Sequence, residues 1–331
     1  KLYMGNTFGN IPSPSTGAML EAFEVVAATG KRISLHAETA SIMARREARM
    51  AAAGRRDPLA HLAARPALVA IEAVSRAALL AEWTGARTHI LHISSADELR
   101  PLAEAKARGI DITGETCPHY LMLSAADYAR FGGIIRVNPP VREARHQEPL
   151  WRALADGTVD MIATDHAPHS PEEKTRNDIW SVDCGFPGVE TQMPLMLTEA
   201  AKGRFSICDY VRWSASNPAR AWGLYPHKGV IAPGADADLA LVDLARPWTI
   251  DDAKIQSRSK ISPWHGREVR GLPIHTLVRG RFVMRDRTLV ATACGWGRSV
   301  HRIQEMPAPA LRNTDQTMQA IVAGASKEQA A

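Results

Sequence analysis

The sequence predicts an α/β fold, a (β/α)8 barrel of TIM type, followed by a small accessory β-domain. Three observations predict it. Short strand-like runs, such as Arg32–His36, Thr88–Ile93, Ile110–Thr116 and Val159–Thr164, alternate with longer helix-patterned segments, which argues for βα units and a parallel sheet. The runs are apolar through their middles, as in strands covered on both faces. Polar residues stand where the runs finish: His36, His92 and Asp165. A (β/α)8 barrel carries its functional residues at those ends. A doubly wound sheet is the rival, but no glycine-rich phosphate loop supports it.

Each element has its own signal. Lys1-Leu2-Tyr3-Met4 reads as a strand already under way. Ala18–Thr29 is helical and closed by Gly30, a good helix stop. Ala67–Trp83 is a long apolar-rich helix closed by Gly85, Glu98–Arg108 ends at Gly109, and Pro149–Ala155 is helical. The character changes near residue 228. Val230–Gly234 leads into a strand at Ala237–Asp243, and Thr276–Val283 reads as another, with Gly280 at a bend or bulge. The expected domains are therefore 1–227, 228–306, and an Ala-, Pro- and Gln-rich, loosely attached tail at 307–331.

Composition narrows the function classes. The 331 residues are 45% hydrophobic and 23% charged, enough for a large core and too little charge for global disorder. The net charge of +5 is a modest excess that can attract a small anion. No basic stripe with interleaved aromatics is present, so no nucleic-acid partner is expected. The pairs Arg45-Arg46 and Arg55-Arg56 lie in an Ala-rich stretch and read as the solvated face of a helix. The four cysteines are widely spaced without a C-x-x-C pair, which disfavours a disulfide framework or zinc knuckle and fits a reducing cytoplasm. No apolar run approaches the ~20 residues needed to span a bilayer, and no signal peptide is visible.

His36, His92 and Asp165 are the candidates for chemistry, since histidine and carboxylate are ordinary zinc ligands. Singly, each has a blander reading: a lone histidine beside a strand is usually structural, and a lone aspartate can cap a turn. Together at the strand ends of one barrel they point to a metal site.

Longer segments add a resemblance. Thr164-Asp165-His166-Ala167-Pro168-His169, the following Ser170–Lys174, and Gly185–Thr191 are similar to hallmark segments of dihydroorotases. Glu115–Leu121 is shared with allantoinases and hydantoinases, and Lys228–Gly234 leading into Ala237-Asp238 resembles the accessory β-sandwich of the wider superfamily. The resemblance spans nearly all of residues 1–300. It implies two divalent metal ions, zinc first among them, bridged by a CO2-derived carbamate on Lys1. It implies further that His36 and His92 ligate one metal, and that Asp165 ligates the other and acts as general base. By the same resemblance, His169 contacts a substrate carboxylate or ring oxygen, Asn138 and the backbone at Gly185 hold the ring, and Thr7 sits in a loop over it. His166 shapes its loop and His119 is structural or supports a ligand; His61 and the remaining histidines are expected to be ordinary.

The implied activity is reversible interconversion of dihydroorotate and N-carbamoyl-aspartate in pyrimidine synthesis, in a cytoplasmic dimer or tetramer. Arg65-Pro66 and Glu115–Leu121 lean towards the alternative, an allantoinase- or hydantoinase-type cyclic amidohydrolase. The second alternative, an inactive scaffold, is opposed by the joint presence of Lys1, His36, His92, Asp165 and His169. The pattern's His-x-His segment with its substrate-binding arginine does not occur here and is expected upstream of Lys1, with the first barrel strands.

Overall fold

The computed structural model describes residues 1–7 and 11–300. Five parallel strands form one sheet in sequence order: β1 (Leu2–Tyr3), β2 (Ile33–His36), β3 (Thr88–Ile90), β4 (Ile112–Thr116) and β5 (Met161–Ile162). Leu2 stands opposite Leu35, Leu35 opposite Ile90, and Ile90 opposite Gly114, so one register runs across four strands. Helices fill the connections, as a parallel sheet requires. The expected helix–strand order is present, with the boundaries shifted by a few residues.

The helix Ala67–Thr84 shows why these segments fold as they do. Its buried residues Val69, Ala70, Ala73, Val74, Ala77, Ala78 and Ala81 recur at helical spacing and form one packed face. Gly85, in the left-handed conformation, closes it by donating its N–H to Ala81 O. Two strands end earlier than expected: β3 stops at Ile90 and β5 at Ile162. The cause is local. His92 and Asp165 both have left-handed backbone, with φ of 41° and 46°, and this takes the chain out of the pleat. Pairing continues in fragments, with Leu91 N–H to Leu35 O at 3.1 Å and Ile93 N–H to Glu115 O at 2.7 Å.

A second sheet has the order β6 (Leu239–Thr249), β7 (Glu268–Val278), β8 (Arg281–Arg285) and β9 (Thr288–Leu289). The single strand expected over 276–283 is instead a hairpin between β7 and β8. Arg279 and Gly280 both have positive φ, 47° and 75°, as a tight two-residue hairpin turn demands. Arg55 and Arg56 correct another expectation. They follow the helix Ala40–Ala52, pairing with Asp57 and Asp178, while Arg46 donates to Ala63 O.

Two compact units are distinguished: Lys1–Ser214 with Leu244–Leu272, and Ala215–Asp243 with the described residues from Pro273 onward. Within the first, Ile250, Trp264 and Val269 share a buried cluster with Val137, Phe186 and Leu195. The tail expected at 307–331 lies outside the described residues.

Candidate active site

The ends of β2, β3 and β5 and the chain just beyond them converge on one cavity of about 390 Å3. Lys1, Tyr3, Thr7, His36, His92, Val137, Asn138, Asp165, His166, Ala167, Pro168, His169 and Cys184 line it. Of the residues expected at the site, only Gly185 is not in the lining, and it follows Cys184 directly. Lys1 stands immediately before β1, on the same strand face as Tyr3, whose ring lies 4.9 Å from its Nζ.

His36 and His92 form the centre. Both are buried, and His36 Nδ1 faces His92 Nε2 at 2.9 Å. Burial, reinforced by the neighbouring His36, pushes His92 down to about 3, so it is a neutral imidazole at physiological pH. Behind the pair, Glu38 Oε2 accepts from His36 Nε2 at 2.9 Å and from Arg65 at 2.5 Å. Burial raises the Glu38 carboxyl, but the Arg65 charge and the hydrogen bond from His36 outweigh it and leave the group well below the usual carboxylate range. Two buried imidazoles with facing nitrogens, a carboxylate at the same cavity and an outer carboxylate orienting one ring fit the chemistry of a divalent metal site.

His92 and Asp165 have a second property in common. Among the described residues of the first unit they are the two non-glycine residues with positive φ. Such backbone is uncommon outside glycine and concentrates at functional positions.

The ring-binding candidates are held from behind. Asn138 Oδ1 lies 2.9 Å from His61 Nε2, and its amide donates to Thr7 O at 3.2 Å. His61 is fully buried, and burial, helped by the Arg65 charge, holds it well below its ordinary value. The sequence reading missed this role because His61 lies in the helix Pro58–Ala64, 77 residues from Asn138. Tyr3 was missed as well; the two-residue period that puts it on the face of Lys1 is the signal that could have found it. His166 Nδ1 accepts from the N–H groups of Gly188 and Val189 at 3.0 and 3.2 Å, shaping the loop while also lining the cavity. His119 is buried against Tyr120 and Phe186, and burial pushes it down to about 3. Gly185 has φ of 121°, and a Cβ there would come within 2.7 Å of Ala167 O. Only glycine lets this loop lie directly on the Thr164–Ala167 backbone.

His169 sits at the rim, with Nε2 3.2 Å from Cys184 O and Nδ1 3.4 Å from Glu173. His169, Glu173 and Asp183 bring ligand atoms within 4.8 Å of one another, the one such trio among the described residues. Its members are engaged elsewhere: Glu173 accepts from Ser170 N–H and Asp183 pairs with Arg176.

The model of the amidohydrolase family matches residues 3–283. The chain belongs to that family. Among relatives of this amidohydrolase, an L-hydantoinase of Paenarthrobacter aurescens is 36% identical over 297 residues, covering 89% of this chain and 65% of its own. A dihydroorotase of Pelotomaculum thermopropionicum is 42% identical over 218 residues, 65% of this chain and 50% of its own. An allantoinase of Streptomyces avermitilis is 39% identical over 225 residues, 68% and 50%. The solved L-hydantoinase (dihydropyrimidinase) of Arthrobacter aurescens superposes with a TM-score of 0.85 at 34% identity, covering 88% of this chain and 65% of the other. The chain thus spans half to two thirds of the relatives it matches. No helix among the described residues is long and apolar enough to cross a membrane.

Proposed function

We propose that this amidohydrolase hydrolyses a carbon–nitrogen bond of a cyclic amide. The observation that carries the reading is the convergence of His36, His92, Asp165 and Lys1 on one cavity, beside Asn138 and His169. His36, His92, Asp165 and Lys1, the last as its carbamate, are the groups that would hold two divalent ions, with zinc first by the chemistry of the donors. Such ions supply a water acidified towards neutrality and a polarised carbonyl. Asp165 accepts the proton of the attacking water and returns it to the leaving amide nitrogen, which is otherwise a very poor leaving group. Asn138, fixed by His61, offers its amide to the ring, and His169 at the rim binds a ring oxygen or carboxylate. We further read the five parallel strands as part of a (β/α)8 barrel, the unit of residues 215–243 and 273–300 as belonging to an accessory β-sandwich, and the intact protein as a cytoplasmic homo-oligomer.

Two substrate classes follow from different features. The segments Thr164–His169 and Gly185–Thr191 support dihydroorotate. Arg65-Pro66 and Glu115–Leu121, together with the L-hydantoinase and allantoinase among the relatives, support a neutral ring, hydantoin or allantoin. The decisive test is hydrolysis of dihydroorotate, allantoin and hydantoin by the intact, zinc-loaded protein, side by side. Preference for dihydroorotate, abolished by chelation, selects the first class. Preference for a neutral ring selects the second, and failure on every cyclic amide with metal bound overturns the proposal.

A further inference from the structure

Glu38 is enclosed, its side chain 0% exposed. Burying a carboxylate and a guanidinium together is costly and rarely improves on apolar packing, so this pair needs a reason to be here. Glu38 Oε2 accepts from both His36 Nε2 and Arg65 Nη1. Arg65, itself nearly buried, turns its Nη2 to Asn6 O at 3.0 Å. Its own carbonyl accepts from Arg142 Nη1 at 2.8 Å, and Arg142 Nε reaches Ser94, two residues past His92. Asn6 is followed by Thr7, whose carbonyl receives the Asn138 amide. A single chain of bonds therefore runs from His36 through Glu38 and Arg65 to the Asn6–Thr7 segment and on to Asn138, with Thr7 and Asn138 both lining the cavity.

A neutral imidazole has one proton to place. A histidine that ligates a metal keeps one proton; Glu38, which can only accept, takes it at Nε2, and that leaves Nδ1, the nitrogen that faces His92, to carry the lone pair. We propose that Glu38, held in place by Arg65, is a positioning residue that locks His36 in the Nε2–H tautomer, presents Nδ1 as the metal-ligating nitrogen, and ties that ligand to the Asn6–Thr7 segment. This rests on His36 being a metal ligand and is independent of which ring is hydrolysed.

The experiment has two parts, neither using substrate. In the metal-free intact protein labelled with 15N-histidine, long-range proton–nitrogen correlation reads the His36 tautomer, the signal being assigned by its loss in His36→Gln. The expected pattern is a protonated Nε2 and a bare Nδ1; a protonated Nδ1 overturns the proposal. Zinc affinity is then measured by chelator competition for wild type and Glu38→Gln, with melting curves of the metal-free proteins alongside. An amide can accept or donate at this position and so removes the lock. Loss of such an outer partner typically weakens metal binding about 10–100-fold, and that loss is expected in the folded variant. A folded variant that binds zinc as tightly as wild type overturns the proposal. If Glu38→Gln does not fold, the tautomer in the wild type decides alone.

Discussion

The two ends of the parallel sheet are built on opposite principles. At the N-terminal ends of the strands, every charge named here has an opposite partner. Arg32, just before β2, and Arg87, just before β3, both bind Asp111, just before β4, at 2.7 and 2.8 Å. Asp160, before β5, takes Lys106 at 2.7 Å and the Gly114 N–H at 2.7 Å. At the C-terminal ends the ionisable groups surround a cavity instead, His92 is held neutral, and both left-handed non-glycine residues among the described residues of this unit occur there. One end joins strands; the other gathers ionisable groups around a cavity, two of them on left-handed backbone. TIM barrels in general divide labour in this way, with stability at the N-terminal face of the strands and chemistry at the C-terminal face.

The largest effect that separates the ends is expected at Asp165. Asp165→Asn keeps the side-chain shape, and asparagine is among the residues that tolerate its φ of 46°. Folding should survive, while loss of the proton acceptor lowers kcat by on the order of 10^2–10^4-fold. Turnover near wild type in a folded, zinc-loaded variant would remove Asp165 from the proposed mechanism and blur the contrast between the ends.

A smaller effect sharpens the contrast at Lys174. Its ammonium is buried, donating to Arg136 O at 3.0 Å and Asp183 O at 2.6 Å. It ties together the segments that carry Asn138 and Cys184 to the cavity. Burial pulls its pKa down from 10.5 to about 7. Between those values the unfolded chain holds a proton the folded protein has lost, so stability rises with pH across that window. Below about 7 and above 10.5 the contribution is flat. Lys174→Met should therefore fall progressively behind wild type as pH rises from 7, by up to ~1.4 kcal/mol per unit. Urea unfolding of both proteins at pH 7, 8 and 9 measures it; parallel curves would mean that Lys174 keeps its proton when folded.

How much of this was legible in the sequence depended on the range of the interaction. Helices such as Ala67–Thr84 declare themselves through local periodicity and a terminal glycine. His36, His92 and Asp165 were legible because strand ends are local features, and the Asp165–His169 segment sharpened them. His61, Glu38 and Arg65 were not, because their meaning lies in partners brought in by folding: Asn138 for His61, and each other across 27 residues for Arg65 and Glu38. The hairpin at Arg279-Gly280 was read as one strand bent or bulged at Gly280, because the glycine marks the break while positive φ at Arg279 as well, which makes it a turn, shows only in the backbone.

The smallest effect is expected at the other end of the sheet, at Asp111. Its side chain is about half exposed, and burial, which raises its carboxyl, is outweighed by the hydrogen bonds from Arg32 and Arg87, so it titrates below its ordinary value. A carboxyl lowered in the folded state stabilises above its unfolded pKa and loses that contribution as the pH falls through the folded one. At pH 7 the ion pairs are fully formed; the Arg87 pair is exposed on both sides and contributes at most about 1 kcal/mol, and Asp111 is half exposed where it meets the buried Arg32. Asp111→Asn leaves an Oδ1 that can still accept from Arg32, and Arg32 keeps its bond to Thr88 O at 2.8 Å, so no buried cation is stranded. The expected outcome is a loss of stability below about 1 kcal/mol, with kcat and zinc content unchanged. A tenfold fall in kcat from this substitution would show that the lower end governs the geometry of the upper one, and the division of labour between them would no longer hold.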